Sequence, residues 1–334
     1  MQTEEVFNCI VGPTAAGKSA LSMALAEARN LAIVSADSRQ VYRDFNLGTA
    51  KPTLQEMRQV PHFGINILDP SERYSAHQWA QDALGWCETA RSQGREPLIA
   101  GGTGLYIRAL VEPFDPVPGL NQAQRLKLMP WLDSLSRDEL VRWCRRLDPA
   151  RSHLGRTQLL RAVETVLLTG TRISEHLGVG DRRKSEDRER LRARYLVVDP
   201  GARLAGRIED RTRQMIAQGL LDEVARLRHV YAPEVPAWNA CGYRVLRDAL
   251  EGRSSIDAAI ERVIVETRQY AKRQRTWFRN QLPAHSVTLL DPSSQYAVDA
   301  ALAWWDAGKD SNMAQFTEAS STRANVNGEG QNHS

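Results

Sequence analysis

Val6-Phe7-Asn8-Cys9-Ile10-Val11-Gly12-Pro13-Thr14-Ala15-Ala16-Gly17-Lys18-Ser19 is the stretch whose reading decides the fold. An apolar run, a glycine loop and a helix-like segment over residues 20–28 read as strand, turn and helix start. The spacing G-x-x-x-x-G-K-S suits a phosphate chain, because glycines let backbone N–H groups close round the oxygens. Residues 12–19, that is Gly12, Pro13, Thr14, Ala15, Ala16, Gly17, Lys18 and Ser19, are therefore expected to hold a diphosphate or triphosphate. Lys18 would add a point charge, and the Ser19 hydroxyl would ligate a Mg2+ ion bridging phosphate oxygens. A helix starting at the same place aims its positive end at the anion.

Working outward, Leu31-Ala32-Ile33-Val34 reads as a second buried strand, ending at Ser35-Ala36-Asp37-Ser38-Arg39-Gln40. Ligands of parallel α/β sheets gather at the carboxyl ends of strands, so Asp37 is expected beside the phosphate loop. Its carboxylate has three candidate roles there: a magnesium ligand through water, a helix cap, or a general base. Prolines 52, 61 and 70 punctuate loops, His62 and His77 read as structural, and a helix is expected from Ala76 to about Ser92. Pro97-Leu98-Ile99-Ala100-Gly101-Gly102-Thr103-Gly104-Leu105-Tyr106 repeats the grammar of strand, glycine turn and helix. Thr103 either offers a hydroxyl to a ligand or belongs to a turn that only packs. The expected fold is α/β, a P-loop NTPase-like core with a mainly parallel sheet, helices on both faces, and a helical insertion domain.

The insertion is placed by composition. Three prolines within residues 112–119 mark a lobe boundary, after which helical periodicities replace strands. The domains so expected are a discontinuous core, 1–114 and 196–308, a helical insertion over 115–195, and a disordered tail at 309–334. Residues 1–111 carry ten Lys and Arg against eleven Asp and Glu, whereas residues 121–195 carry seventeen against ten. That asymmetry points the middle of the chain at a polyanion, with a solvated arginine-rich helical surface as the plain alternative.

Past the strand expected at 195–199, Arg203, Arg207 and Arg211 form one helical stripe, either a solvated face or charge for a leaving diphosphate. Gly219 is a possible break in the helical pattern of residues 204–230. Ala240-Cys241-Gly242-Tyr243-Arg244 reads as a turn, and the helix around Lys272, Arg273 and Arg275 mixes cations with rings in the manner of a single-stranded nucleic-acid binder. Trp277 and Phe278 read there as core anchors. The last strand is expected at 287–291 and the last helix at 296–307.

At 334 residues and 42% hydrophobic content, the chain is long enough for two lobes, and its net charge is a modest +4. Cys9, Cys87, Cys144 and Cys241 are scattered without C-x-x-C pairs, so they read as small buried apolar residues and not as a disulfide or zinc framework. No apolar run approaches a membrane span and the start lacks a signal core, so the expected location is cytoplasmic, without membrane contact. A monomer is the default expectation.

Taken together, GPTAAGKS, SADSRQVY, GTAKPT, DPSERYSA, GGTGLYIRAL, RIEDRTRQMIAQGLLDEV, CGYR and TRQYAKRQRTWFRN resemble the bacterial tRNA dimethylallyltransferases over residues 12 to about 280. The resemblance implies that the P-loop grips dimethylallyl diphosphate in place of a nucleotide. It also implies that Asp37 is the general base on the exocyclic amine of an adenosine beside the anticodon. Thr103 and Arg125 would contact the tRNA anticodon stem-loop, and Asp37, Ser38, Arg39, Gln40, the stretch near Arg161 and the turn Asn239 to Arg244 match further tRNA-contacting segments. Gln158 and Asn239 stand where many relatives have arginine, which puts those two phosphate contacts in question. The competing expectations are a P-loop small-molecule or nucleotide kinase and a nucleic-acid-binding regulator with a vestigial P-loop.

Overall fold

Strand β1 (Val6–Val11) is hydrogen-bonded on both sides, and Cys9, Ile10 and Val11 are fully buried, which is why the run carries no alternating polar face. The computed structural model describes residues 6–112, 122–176 and 191–308. After β1 come helix α1 (Lys18–Arg29), β2 (Leu31–Ser35), α2 (Leu54–Gln59), β3 (His62–Phe63), α3 (Ala76–Ser92), β4 (Glu96–Gly101) and α4 (Gly104–Val111). Asn30, at φ 54° in the left-handed region, closes α1 and turns the chain directly into β2. Capping boxes, Thr53 with Glu56 and Ser75 with Gln78, start α2 and α3.

The chain returns to the sheet with β5 (Arg192–Val198) and later β6 (Val287–Leu290). All pairings are parallel, in the order β3-β2-β4-β1-β5-β6. β5 starts three residues earlier than its apolar run indicates, because Arg192, Ala193 and Arg194 pair with Val6, Phe7 and Asn8. Arg194 is accommodated by donating to the Trp304 carbonyl at 2.7 Å while its guanidinium lies over the Trp304 ring.

Side chains alternate across the sheet. Ile10, Ile33, Leu98 and Leu196 join Leu21 and Leu25 of α1, and Trp304 and Trp305 of a helix at 297–308, in one apolar cluster. On the other face Cys9 lies near Cys87 of α3, and burial pushes its thiol well up. Helices therefore cover both faces, as expected. None of the four cysteines is in a disulfide; Cys9, Cys87 and Cys144 are buried and Cys241 is half-buried.

Between β5 and β6 lie α9 (Leu204–Ala217), α10 (Leu220–Val230), α11 (Tyr243–Leu250) and the long α12 (Ile256–Gln281). Gly219, at φ 98°, breaks α9 from α10. Leu220, Val224, Leu227, Trp238, Tyr243 and Val263 pack with Val41 and Phe45 into a second core.

Contacts divide the chain into two compact units, residues 1–111 with 191–334, and residues 112–190. Within the second unit α5 (Gln122–Ser134), α6 (Arg137–Leu147), α7 (Arg156–Thr169) and the single turn α8 (Ile173–His176) are the described helices. Leu132, Leu140, Cys144, Leu159, Ala162 and Val163 give this unit its own core. Most of the boundary expected at 112–119, most of the loop expected at 174–194, and the tail expected at 309–334 lie outside the described residues.

Candidate active site

The phosphate loop is shaped by its neighbours as much as by its own glycines. Gly12, at φ 149°, sits so close to β5 that a Cβ would lie 2.3 Å from the Val198 carbonyl oxygen. Ala15 and Gly17 also take positive φ, 60° and 100°, and carry the chain round to the start of α1. Ala16 N donates to Pro13 O at 3.3 Å and Lys18 Nζ donates to the same oxygen at 2.7 Å, so the lysine folds over the loop. Loss of water pulls Lys18 down to about 8, with the Asp37 carboxylate working upward and the Arg211 cation further downward. These influences place the three charges in one neighbourhood.

Of the arginine stripe on α9, two members turn to the loop. Arg207 Nε donates to Ala15 O at 3.2 Å, and a Cβ on Gly17 would stand 3.0 Å from the Arg207 guanidinium. Arg211 lines the pocket beside Lys18; burial pulls its guanidinium down and Asp37 pulls it back up. Arg203 instead pairs with Asp291.

Asp37 follows β2 and lines the same pocket as Thr14, Lys18, Ser19 and Arg211. Its Oδ1 accepts from Arg39 N at 2.8 Å, which fixes the carboxylate in a tight turn, and Oδ2 has no hydrogen-bond donor among the described residues. The turn after β4 supports it from below. Gly101 lies against Ala36, where a Cβ would be 2.1 Å from the carbonyl oxygen, and Thr103 N donates to that oxygen at 3.0 Å. Thr103 Oγ1 accepts from Ser38 N at 3.0 Å and donates to Ser38 Oγ at 3.3 Å. The Thr103 hydroxyl thus holds the Asp37 turn.

Several of the residues expected to meet RNA are used inside the protein. Gln40 accepts from Ser35 Oγ at 2.9 Å and donates to the carbonyls of Thr49 and Ala50, so it clamps the loop that walls the pocket. Tyr243 is fully buried, donates to Glu223, and accepts from Gly48 N at 3.0 Å; its ring leaves Gly48 no room for a Cβ. This corrects the surface role expected of Tyr243, since a phenol with both hydrogen bonds made in a core cannot reach a nucleic acid. Arg275 pairs with Asp199 and the Gly201 carbonyl, so it too is engaged. Gly242, at φ 87°, opens α11, and Cys241 lines the pocket with its thiol against Thr267 Oγ1 at 2.9 Å. Asn239, Arg244, Lys272 and Arg273 remain exposed, with Arg273 over the Tyr270 ring.

In the second unit, Arg125 and Arg161 both bind Glu164, which is buried; Arg161 reaches it at 3.1 Å. Their charge is turned inward, onto a carboxylate 39 and 3 residues away. Gln158 lies at the exposed start of α7 and accepts from Gly155 N at 3.3 Å.

Three further side chains, none singled out by the motifs, tie together the loops around the pocket. Gln274 accepts from Thr14 N and donates to Gly102 O; Glu223 accepts from Asn46 N and Leu47 N; Lys51 donates to Tyr42 O and to Asn46 and Asn66. Periodicity held a signal for two of them. Gln274 shares a buried helical face with Ala271 and Phe278, and Glu223 one with Leu220, Val224 and Leu227.

Mg2+ fits the donors present. The Ser19 hydroxyl, exposed in the first turn of α1 and without a described partner, and the Asp37 carboxylate are hard oxygens lining one pocket. One or two protein oxygens plus substrate phosphates are the usual magnesium shell, so a cluster of carboxylates is not required.

The "IPP transferase" family model matches residues 40–281 and the "Isopentenyl transferase" model residues 5–63. The chain is 40% identical over 281 residues to a tRNA dimethylallyltransferase of Halorhodospira halophila, covering 82% of this chain and 89% of that protein. It is 38% identical over 277 residues to one of Cyanothece sp., covering 81% and 88%. Among solved structures it is similar to the full-length tRNA isopentenylpyrophosphate transferase of Bacillus halodurans, with a TM-score of 0.66, 30% identity, and coverage of 94% and 99%. It is also similar to a eukaryotic dimethylallyltransferase acting on tRNA, with a TM-score of 0.71, 26% identity, and coverage of 97% and 80%.

Proposed function

The chain belongs to the IPP transferase family, and on that premise we propose that it moves a dimethylallyl group from dimethylallyl diphosphate to the exocyclic N6 of the adenosine 3′ to a tRNA anticodon, releasing pyrophosphate. The kinase alternative has no counterpart among the relatives reported above. The observation that carries the reading is one pocket walled by Lys18, Ser19 and Arg211 for an anion and by Asp37 for a proton.

An adenine amine is a weak nucleophile because its lone pair is delocalised, so a carboxylate that takes its proton as the C–N bond forms lowers the barrier. Asp37 Oδ2 is the acceptor in this reading, with Oδ1 tethered to Arg39 N. The allylic carbon tolerates positive charge, so the remaining cost is the charge gathering on the departing diphosphate. Lys18, the loop amides, Arg207 and Arg211 meet that charge. Ser19 would hold Mg2+, which neutralises phosphate charge when bound. The target base must leave its stack to enter the pocket, and the exposed Arg244, Lys272 and Arg273 are the cations offered to the tRNA backbone. A monomer and a cytoplasmic location belong to the same reading: the tRNA substrate argues for the cytoplasm, and no described helix is long and apolar enough to cross a membrane.

The test is incubation with labelled dimethylallyl diphosphate and unmodified tRNA, followed by digestion to nucleosides. The expected product is N6-isopentenyladenosine with one pyrophosphate per transfer and ATP untouched. Label that stays out of nucleosides, with ATP consumed on some other acceptor, would return the kinase reading.

A further inference from the structure

Transfer needs more than two occupied subsites. The donor sits on the loop after β1 and the proton acceptor on the turn after β2, two strands away across β4, and the reacting atoms must stand about 3–3.5 Å apart. Something has to set the distance between those loops. Gln274 of α12 is placed to do so. Its Oε1 accepts from Thr14 N in the phosphate loop at 2.8 Å, and its Nε2 donates to Gly102 O in the turn after β4 at 2.9 Å. From Gly102 the chain of contacts runs on through Thr103, which bonds to Ala36 O and Ser38 N on either side of Asp37.

We propose that Gln274 is a positioning residue that fixes the spacing between the diphosphate cradle and the Asp37 carboxylate, so that donor carbon and acceptor nitrogen meet in register. The proposal rests on the transferase reading above and deepens it. The chemistry of the side chain is specific. One end must accept from an amide N–H and the other must donate to a carbonyl, at the fixed separation of a carboxamide's two heads. Ionised glutamate cannot donate, methionine can do neither, and asparagine is one methylene short. Gly102 is shaped for the same contact, because a Cβ there would stand 2.5 Å from Gln274 Nε2. The bridge is shielded from competing water, Gln274 being 7% exposed. Among the described residues it is the side chain that hydrogen-bonds to both the phosphate loop and the turn after β4.

The experiment measures three things in wild type, Gln274→Met, Gly102→Ala and the double variant. These are melting temperature, equilibrium affinity for inorganic pyrophosphate and for tRNA, and the single-turnover transfer rate with both substrates saturating. The expected result for Gln274→Met is affinities within about threefold of wild type and a transfer rate lower on the order of 10²-fold, the cost of a misplacement near 1 Å. Gly102→Ala breaks the same bridge from the other loop, so the double variant should be no slower than the slower single one. Weakened pyrophosphate binding with an unchanged saturated rate would make Gln274 a donor-loop prop and overturn the proposal, as would rate losses that multiply in the double variant. Should Gln274→Met fail to fold, Gly102→Ala carries the same comparison. An active wild type with an indifferent Gln274→Met sinks this proposal alone, whereas an inactive wild type sinks the assigned reaction and this proposal with it.

Discussion

Asp37 and Lys18 are two opposite charges in one pocket whose protonation states matter in different steps. Asp37→Asn keeps the shape and the oxygen that accepts from Arg39 N but cannot take a proton. Transfer should fall by about 10²–10⁴-fold while tRNA affinity, measured by filter binding, stays within about threefold; an equal loss of both would make Asp37 structural. Lys18 titrates near 8 because it is desolvated, so the ammonium that grips the diphosphate disappears as the pH rises through 8. Pyrophosphate affinity should therefore weaken above pH 8, and binding near pH 8.5 should take up a proton that Lys18→Met does not, read by calorimetry in two buffers. In the unfolded chain the same lysine titrates at its ordinary 10.5. Between pH 8 and 10.5 the unfolded state holds the extra proton, so this residue adds stability with rising pH there and opposes folding below 8. Lys18→Met should accordingly gain more stability at pH 7 than at pH 10.5.

At the level of elements, the loop between β2 and α2 is held from outside. Glu223 of α10 takes the amides of Asn46 and Leu47, and Tyr243 of α11 takes that of Gly48. Tyr243→Phe leaves the Gly48 N–H without its acceptor and takes from Glu223 the hydroxyl donor, leaving it the Asn46 and Leu47 amides, a loss of about 1–3 kcal/mol in chemical denaturation. A change below 0.5 kcal/mol would mean the loop finds other partners. The clamp also shows which parts of the chain were readable beforehand. Strands and the phosphate loop announce themselves locally, through apolar runs and glycine spacing, and the Gly219 break between α9 and α10 did so too. The direction of a charged or aromatic side chain does not, because its partner lies far off in sequence. Arg125 meets Glu164, Arg275 meets Asp199, and Gln274 meets Thr14 at a separation of 260 residues. A run such as Arg273-Gln274-Arg275 therefore looked like an RNA-facing surface while its middle residue belonged to the core. The face shared by Ala271, Gln274 and Phe278 was the available clue.

For the whole molecule, the two compact units each bury their own apolar cluster. Replacing residues 112–190 by a short Gly/Ser linker should leave a folded protein that binds pyrophosphate with wild-type affinity, because every residue of the described pocket lies outside that span. The excess of cations over residues 121–195 points the excised unit at a polyanion, so tRNA affinity should drop at least tenfold; loss of pyrophosphate binding would instead show that the two units fold as one. The strand order carries a consequence for synthesis. β1 has β4 on one side and β5 on the other, and Gly12 rests on the last residue of β5. On the ribosome, at about 5–20 residues per second, the nascent chain has made β1 and β4 seconds before β5 emerges. Through that interval the growing polypeptide exposes an unfinished sheet edge to chaperones, and the anion cradle closes only once Val198 arrives to support it.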